Sequence, residues 1–334
     1  MTIKFPRSVA VTALLMTPLA LKAAPCVEPA PNPANTYDAA HTYDKLIKSY
    51  PFIHIASANL PANVMQVADQ TYAQYGSRCL KLDMYLPAAR QAGHGAPVVV
   101  FVHGGGWGSG FRSEFVPMAV RLAQRGYAAV TISYRLSGEA QYPAAIHDTR
   151  AAVRWVREHA GQYQLDPQRI ALAGGSAGGQ IASLAGVTGH LDQFDPGAAG
   201  SSVSSAVRAI VNIDGLSDFT SEAARANEDD PAKKLTSAGI WFGGRYAEKI
   251  ALWREASPIQ YVRSGMPPIL FIDSSKPRFA VGRDEMVAKM NAVGVANQVV
   301  FVQDSPHSFW LFDPWIEPTV DATVAFLARE MPAH

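Results

Sequence analysis

The sequence predicts an α/β fold: a mostly parallel central sheet flanked by helices on both faces. Three observations carry this. Uncharged, β-branched runs such as APVVVFV (96–102) read as strands buried on both faces. These runs alternate with helical patterns, of which PAAIHDTRAAVRWVREHA (143–160) is the longest. With 334 residues, the chain is also long enough for one large core or two smaller ones.

MTIKFPRSVAVTALLMTPLALKAA (1–24) has the three parts of an export signal. Lys4 and Arg7 precede an apolar stretch at 8–21, and Lys22-Ala23-Ala24 forms a small-residue exit. The apolar stretch is shorter than the roughly 20 residues that span a bilayer, so no stable membrane insertion is expected once the signal is removed. Residues 25–78 are expected as an N-terminal extension: a Pro/Ala/Asn-rich lead-in to about residue 40, then short helices around 42–70 interrupted by Pro51 and Pro61. The main domain is expected over 79–334. CLKLDMYLP (79–87) opens it as an alternating strand, and 96–102 is a central strand running into glycines. A helix at 114–125 leads to the strand 127–134, and the helix 143–160 starts at a proline suited to a first turn. QRIALAGG (168–175) is a strand, GQIASLAGV a helix, and 207–214 and 267–273 are further strands. A helix at 283–293, a strand at 296–302 and a helix at 314–330 complete the series. Residues 216–262 break the alternation and are expected as a small polar, helical excursion able to border a site.

Composition excludes some functions. Basic residues (29) and acidic residues (28) nearly balance, for a net charge of +1, and neither sign forms a long run. Nucleic acid is therefore not an expected partner, since phosphate binding needs a basic patch. The two cysteines, Cys26 and Cys79, show no CxxC spacing and no histidine cluster, so no metal is expected. In an oxidising compartment they can form a disulfide; spacing alone leaves both the bonded and the free forms open.

Two glycine-rich turns carry chemistry. In ALAGGSAGGQ (171–180), Gly174-Gly175-Ser176-Ala177-Gly178 satisfies G-x-S-x-G between a strand and a helix. Each glycine costs roughly 0.5–1 kcal/mol relative to alanine in a regular element, so the cluster implies a sharp turn that exposes Ser176 as a nucleophile. VHGGGWGSG (102–110) follows another strand, and its glycines can aim backbone N–H groups at a developing oxyanion. Gly105, Gly106 and Ala177 are the candidate donors. His103 reads as a residue holding this loop, and Trp107 as a pocket wall or a core roof. Of the nine histidines, His307 stands in a loop (QDSPHSFWLFDPW, 303–315) after the last strand and is the candidate base. The aromatic residues around it are expected mostly to pack, with Trp310 a candidate for substrate contact.

Together, HGGGW, SYRL (133–136), the DxRAAVRWV helix at 148–156, DPQRI and GGSAGG resemble the esterase branch of the α/β-hydrolase superfamily from about residue 79 to 330. FIDSSKPRFAVGRDEM and DSPHSFWLFDPWIEPT are similar to bacterial acetylesterases acting on pectin or related plant polysaccharides. The resemblance implies the α/β-hydrolase fold, no cofactor, frequent export, and removal of acetyl groups from an acetylated polysaccharide or oligosaccharide; the same catalytic loops also serve short-chain or aryl carboxylesterases, feruloyl or xylan esterases and some peptidases, which stay open as alternatives. It also implies an aspartate about five residues after the penultimate strand, near Lys276 and Pro277, where this chain has no acid. Asp284 is the favoured replacement, with Asp273 and Asp304 as alternatives; Asp214 and Asp218 follow an earlier strand that serves some relatives. Asp148, on a helix with Arg150 and Arg154, is expected to be structural. Lys276 and Arg278 lie on the loop at the sheet's active end, where Arg278 can grip a substrate carboxylate or act as a solvated loop cation.

Overall fold

The computed structural model describes residues 26–33, 37–88, 95–196, 202–226 and 228–332. The expected export signal lies outside them. The strands in chain order are β1 (His54–Ile55), β2 (Val64–Tyr75), β3 (Arg78–Pro87), β4 (Ala96–Val102) and β5 (Ala128–Ile132). They continue with β6 (Leu165–Gly175), β7 (Ala209–Ile213), β8 (Ile269–Asp273), β9 (Asn297–Phe301) and β10 (Phe312–Asp313). Among the described residues, eight of these form one sheet in the order β2-β3-β5-β4-β6-β7-β8-β9. The β3 strand runs antiparallel to both neighbours, and all pairings from β5 to β9 are parallel. This is the α/β-hydrolase fold.

The central strands are apolar on both sides because the sheet is covered twice. Val98, Val100 and Val102 enter one core, which holds the helices Ala144–Glu158 and Ala177–Val187. Val99 and Phe101 alternate into the other, beneath the helices Val116–Gln124 and Ile316–Glu330. Such two-sided burial explains why β4 reads as a continuous hydrophobic run.

The segment before residue 79 differs from expectation. Among its described residues Ala39–Leu46 is a short helix, but Val64–Tyr75 is a strand of the main sheet. The sheet therefore starts within the presumed extension. Val64 packs into one core and Tyr72 into the other, but most residues of β2 are exposed, and its register shifts near Asp69, whose φ is 59°. An edge strand with a bulge lacks the clean period-2 pattern that would reveal it. Nearby, β1 pairs with β10 and so ties the N-terminal segment to the loop that carries His307.

Among the described residues, 216–262 contribute no strand to the sheet and hold the helices Glu222–Arg225, Ser237–Phe242 and Tyr246–Glu255. Trp241 and Trp253 anchor this excursion in the core.

Cys26 and Cys79 are joined by a disulfide, which pins the N-terminal segment to β3. Val27 bridges to Arg78, and Glu28 pairs with Arg112 just beyond the glycine loop. Replacing both cysteines by serine should lower unfolding free energy by about 2–4 kcal/mol, through the lost constraint on the unfolded chain. Urea unfolding with and without reductant checks this. A midpoint that is the same in the wild type and the double variant would show that the bond adds nothing to stability.

Candidate active site

The tip of β6 answers why glycines surround Ser176. The strand ends at Gly175 and the helix starts at Ala177, so Ser176 makes the whole turn, with φ 54° and ψ −123°. A non-glycine residue held there costs roughly 1–3 kcal/mol. Its N–H donates to the Ile213 carbonyl at 2.8 Å, which locks the turn against β7. A Cβ on Gly178 would drive into the Val102 carbonyl, and one on Gly175 would come within 2.5 Å of the Trp310 ring. The glycines are required because the new helix crosses directly over the neighbouring strand.

His307 is brought to this turn by the loop after β9. Its Nε2 lies 2.9 Å from Ser176 Oγ, and its Nδ1 lies 2.9 Å from Asp214 Oδ2. A carboxylate only accepts, so Nδ1 carries the proton and Nε2 turns a lone pair toward the serine hydroxyl. Asp214 follows β7, is fully buried, and accepts the Ser274 N–H on its other oxygen at 2.8 Å. The His307 ring lies flat on Phe279, with centroids 3.3 Å apart, and meets Trp310 edge-on at 5.4 Å.

The carboxylate beside His307 is thus Asp214, not the favoured Asp284. Asp284 stands in the first turn of the helix Arg283–Ala292, its side chain 79% exposed and held by Arg283. Asp273 is buried against Arg283, and burial pushes its carboxyl up to about 6 despite that partner. Asp304 is exposed in a turn. Asp218 bonds the hydroxyl and N–H of Thr220. The physical reason lies in the sheet order. Because β7 adjoins β6 and holds the serine turn, a side chain one residue past Ile213 already stands beside the histidine. Where the acid was expected, the turn Pro277–Phe279 supplies a ring instead. In the sequence the run VNIDG places an aspartate at the carboxyl end of a core strand, a pattern that LFID at Asp273 shares and that therefore does not choose between them.

The second glycine loop closes the site from the other side. Gly105 and Gly106 take φ of 101° and 57°. Gly106 and Ala177 border the same cleft as Ser176. Ala177 is the first residue of its helix, so its N–H has no acceptor within that helix. Gly105 sits one peptide behind, its carbonyl accepting from the N–H groups of Gly108 and Ser109. His103 holds the loop: Nδ1 donates to the Gly104 carbonyl at 2.8 Å and the ring stacks on Tyr134. Burial pushes its pKa down to about 4, so it is neutral at pH 7.

The cleft has a volume of about 520 Å³, with Trp107, Leu216, Phe219 and Phe279 among its apolar walls and Glu228 and Arg278 among its charged ones. Leu216, Phe219 and Glu228 come from the excursion after β7. Trp107 donates its indole N–H to Gln180 and stacks on Trp241, so it is both wall and core. Arg278 is exposed at the rim, over the Phe279 ring. Trp310 is not a cleft residue. It is buried with its indole N–H on Glu114, because it fills the space beneath Gly175 and His307. Asp148 is structural, bound by the Arg135 guanidinium rather than by Arg150 or Arg154.

The family model BD-FAE matches residues 82–287, more than half of the chain. The esterase LipQ of Mycobacterium tuberculosis is 32% identical over 214 residues, 63% of this chain and 49% of LipQ. The chain therefore spans about half the length of that relative. A bifunctional GH43-CE protein of Bacteroides eggerthii is 26% identical with a TM-score of 0.65, over 80% of this chain and 38% of its own. The Thermogutta terrifontis esterase Est2 shares the fold, with a TM-score of 0.64 at 24% identity over 81% of this chain and 95% of its own.

The site predicts a clear contrast between two carboxylates. Asp214→Asn should cut kcat by about three to four orders of magnitude, because the amide no longer fixes the Nδ1–H tautomer. Asp284→Asn should stay within about twofold of wild type, as expected of a surface change. Steady-state kinetics on a p-nitrophenyl ester checks both; the reverse ranking would move the acid to Asp284.

Proposed function

The chain belongs to the BD-FAE family, within the serine esterases of the α/β-hydrolase fold, and from that membership we propose that it hydrolyses carboxylic esters through an acyl-enzyme on Ser176. The observation that carries this is the continuous hydrogen-bonded series from buried Asp214 through His307 to Ser176 Oγ at the head of a cleft.

In the first half-reaction, His307 Nε2 takes the hydroxyl proton as Ser176 Oγ bonds to the ester carbonyl carbon. The N–H groups of Gly106 and Ala177, with Gly105 behind them, receive the negative charge on the carbonyl oxygen. Collapse of the tetrahedral adduct breaks the bond to the alcohol oxygen, which leaves with the proton held on Nε2. Water then repeats the sequence on the acyl-enzyme, with His307 as base, and releases the acid. Asp214 accepts the Nδ1–H, holds the ring in that tautomer and supports the imidazolium.

The preferred substrates in this reading are short-chain or aryl esters. A cleft of about 520 Å³ with aromatic walls offers an acyl or alcohol group an apolar surface larger than acetate alone needs. Likeness to the GH43-CE protein supports esters borne on carbohydrate as part of the range. Export to an oxidising compartment is part of the proposal and draws support from the disulfide. A second reading, acetylated pectin, draws on Arg278 at the rim, whose guanidinium can pair with a galacturonate carboxylate.

Ser176→Ala should abolish turnover of p-nitrophenyl acetate and butyrate while leaving the fold intact. Residual kcat above about a tenth of wild type would remove the serine from its role, because losses of this kind span several orders of magnitude. Acid release from methyl ferulate, acetylated xylan and acetylated polygalacturonate then ranks the substrate classes. If Arg278→Gln raises KM on the polygalacturonate alone, the anionic polymer is the substrate that the rim selects. Equal changes on all three make Arg278 a loop cation.

A further inference from the structure

We infer that Glu114 is a positioning residue that holds the oxyanion loop and the histidine loop in register with the serine turn. It lies on the short helical turn Arg112–Phe115, outside the cleft, and its side chain is buried. Its two oxygens are divided between two segments. Oε2 accepts the Gly104 N–H at 2.8 Å, and Oε1 accepts the Trp310 indole N–H at 3.0 Å.

Each partner stands one step from the reacting groups. Gly104 precedes the peptide of Gly105, so fixing its N–H sets the orientation of the peptides that face the oxyanion. The Trp310 ring, stacked on Phe115, meets His307 edge-on and lies so close to Gly175 that a Cβ there would come within 2.5 Å of it. Three separate stretches of chain, at 104, 175 and 307, thus converge on one carboxyl through two hydrogen bonds and one ring.

Packing alone does not account for an acid at this place. A desolvated carboxyl is costly, and here burial pushes its pKa up to about 8, with only the two N–H donors opposing that rise. An apolar side chain would fill the same volume without that cost, but would leave both donors unpaired. What the carboxyl uniquely supplies is two acceptors at a fixed separation. Tyr37 buttresses the same junction, its hydroxyl 2.7 Å from Ser308 Oγ, beside His307. Catalytic geometry tolerates displacements of only about 0.5 Å, so small shifts of either loop are felt in the transition state more than in substrate binding.

The inference rests on Ser176 and His307 acting as proposed, and the test keeps the two apart. Wild-type protein is first titrated with an organophosphonate; no labelling and no ester turnover would sink the functional proposal itself. Glu114→Leu and Glu114→Gln are then compared by kcat per titrated site, by KM, and by the Ki of a trifluoromethyl ketone that mimics the tetrahedral adduct. Leucine should lower kcat by about tenfold or more with KM within about twofold, and raise the ketone Ki by a similar factor, as expected when oxyanion donors lose their aim. Glutamine should fall between, since its amide oxygen keeps one of the two acceptors. Values of kcat per site within about twofold of wild type in both variants, or a kcat loss with no change in ketone Ki, would overturn the inference. If neither variant folds, Trp310→Phe decides the matter, since it keeps the ring and deletes the bond to Oε1. A kcat loss of about fivefold or more at constant KM supports positioning, and an unchanged kcat overturns it.

Discussion

The structure depends on one close crossing, where the helix after β6 passes over the carbonyl end of β4. Gly178 lies against the Val102 carbonyl and Gly175 against Trp310, with no room for a Cβ at either. The chain can reverse within that space only by placing Ser176 at positive φ, and the bond from its N–H to Ile213 holds it there. The strain is local, and the two hydrophobic cores on either side of the sheet over-determine the backbone that bears it. The outcome is chemical. The hydroxyl stands clear of the sheet, the first N–H of the helix opens beside it, and the adjacent strand delivers a carboxylate.

Sheet order explains how the remaining groups arrive. Strands β4, β6 and β7 are parallel neighbours in the middle of the sheet, so the glycine loop, the serine turn and Asp214 all emerge at its carboxyl end without any long excursion of chain. His307 comes from farther away, on the loop after the last parallel strand. That loop needs more support, which it receives from Phe279 on its face, Trp310 at its edge, and the β1–β10 pair beyond.

Much of this was legible in the sequence because it was written in local terms. β4 and β6 are uncharged runs ending in glycines, and both end in turns whose chemistry requires those glycines. Ser176, His307 and the loop at 103–106 could be found from that pattern. The carboxylate could not, because the choice among Asp214, Asp273, Asp284 and Asp304 depends on which strand lies beside β6. That is a property of topology rather than of spacing. The β2 strand was hidden for a different reason: it is an edge strand with a bulge at Asp69, and half-exposed polar residues blur its period. Trp310 was misread because an aromatic ring beside a histidine looks the same in sequence whether it faces a ligand or the space beneath a glycine.

The account's central claim is that acyl transfer passes through Ser176 under the control of the Asp214–His307 pair. Rapid acid quenching during turnover of a slowly deacylating ester, followed by peptide mass mapping, tests it most directly. The account predicts one covalent acyl adduct, on Ser176, that forms and decays at rates matching turnover. An adduct on another residue, or full turnover with no adduct on Ser176, would contradict it.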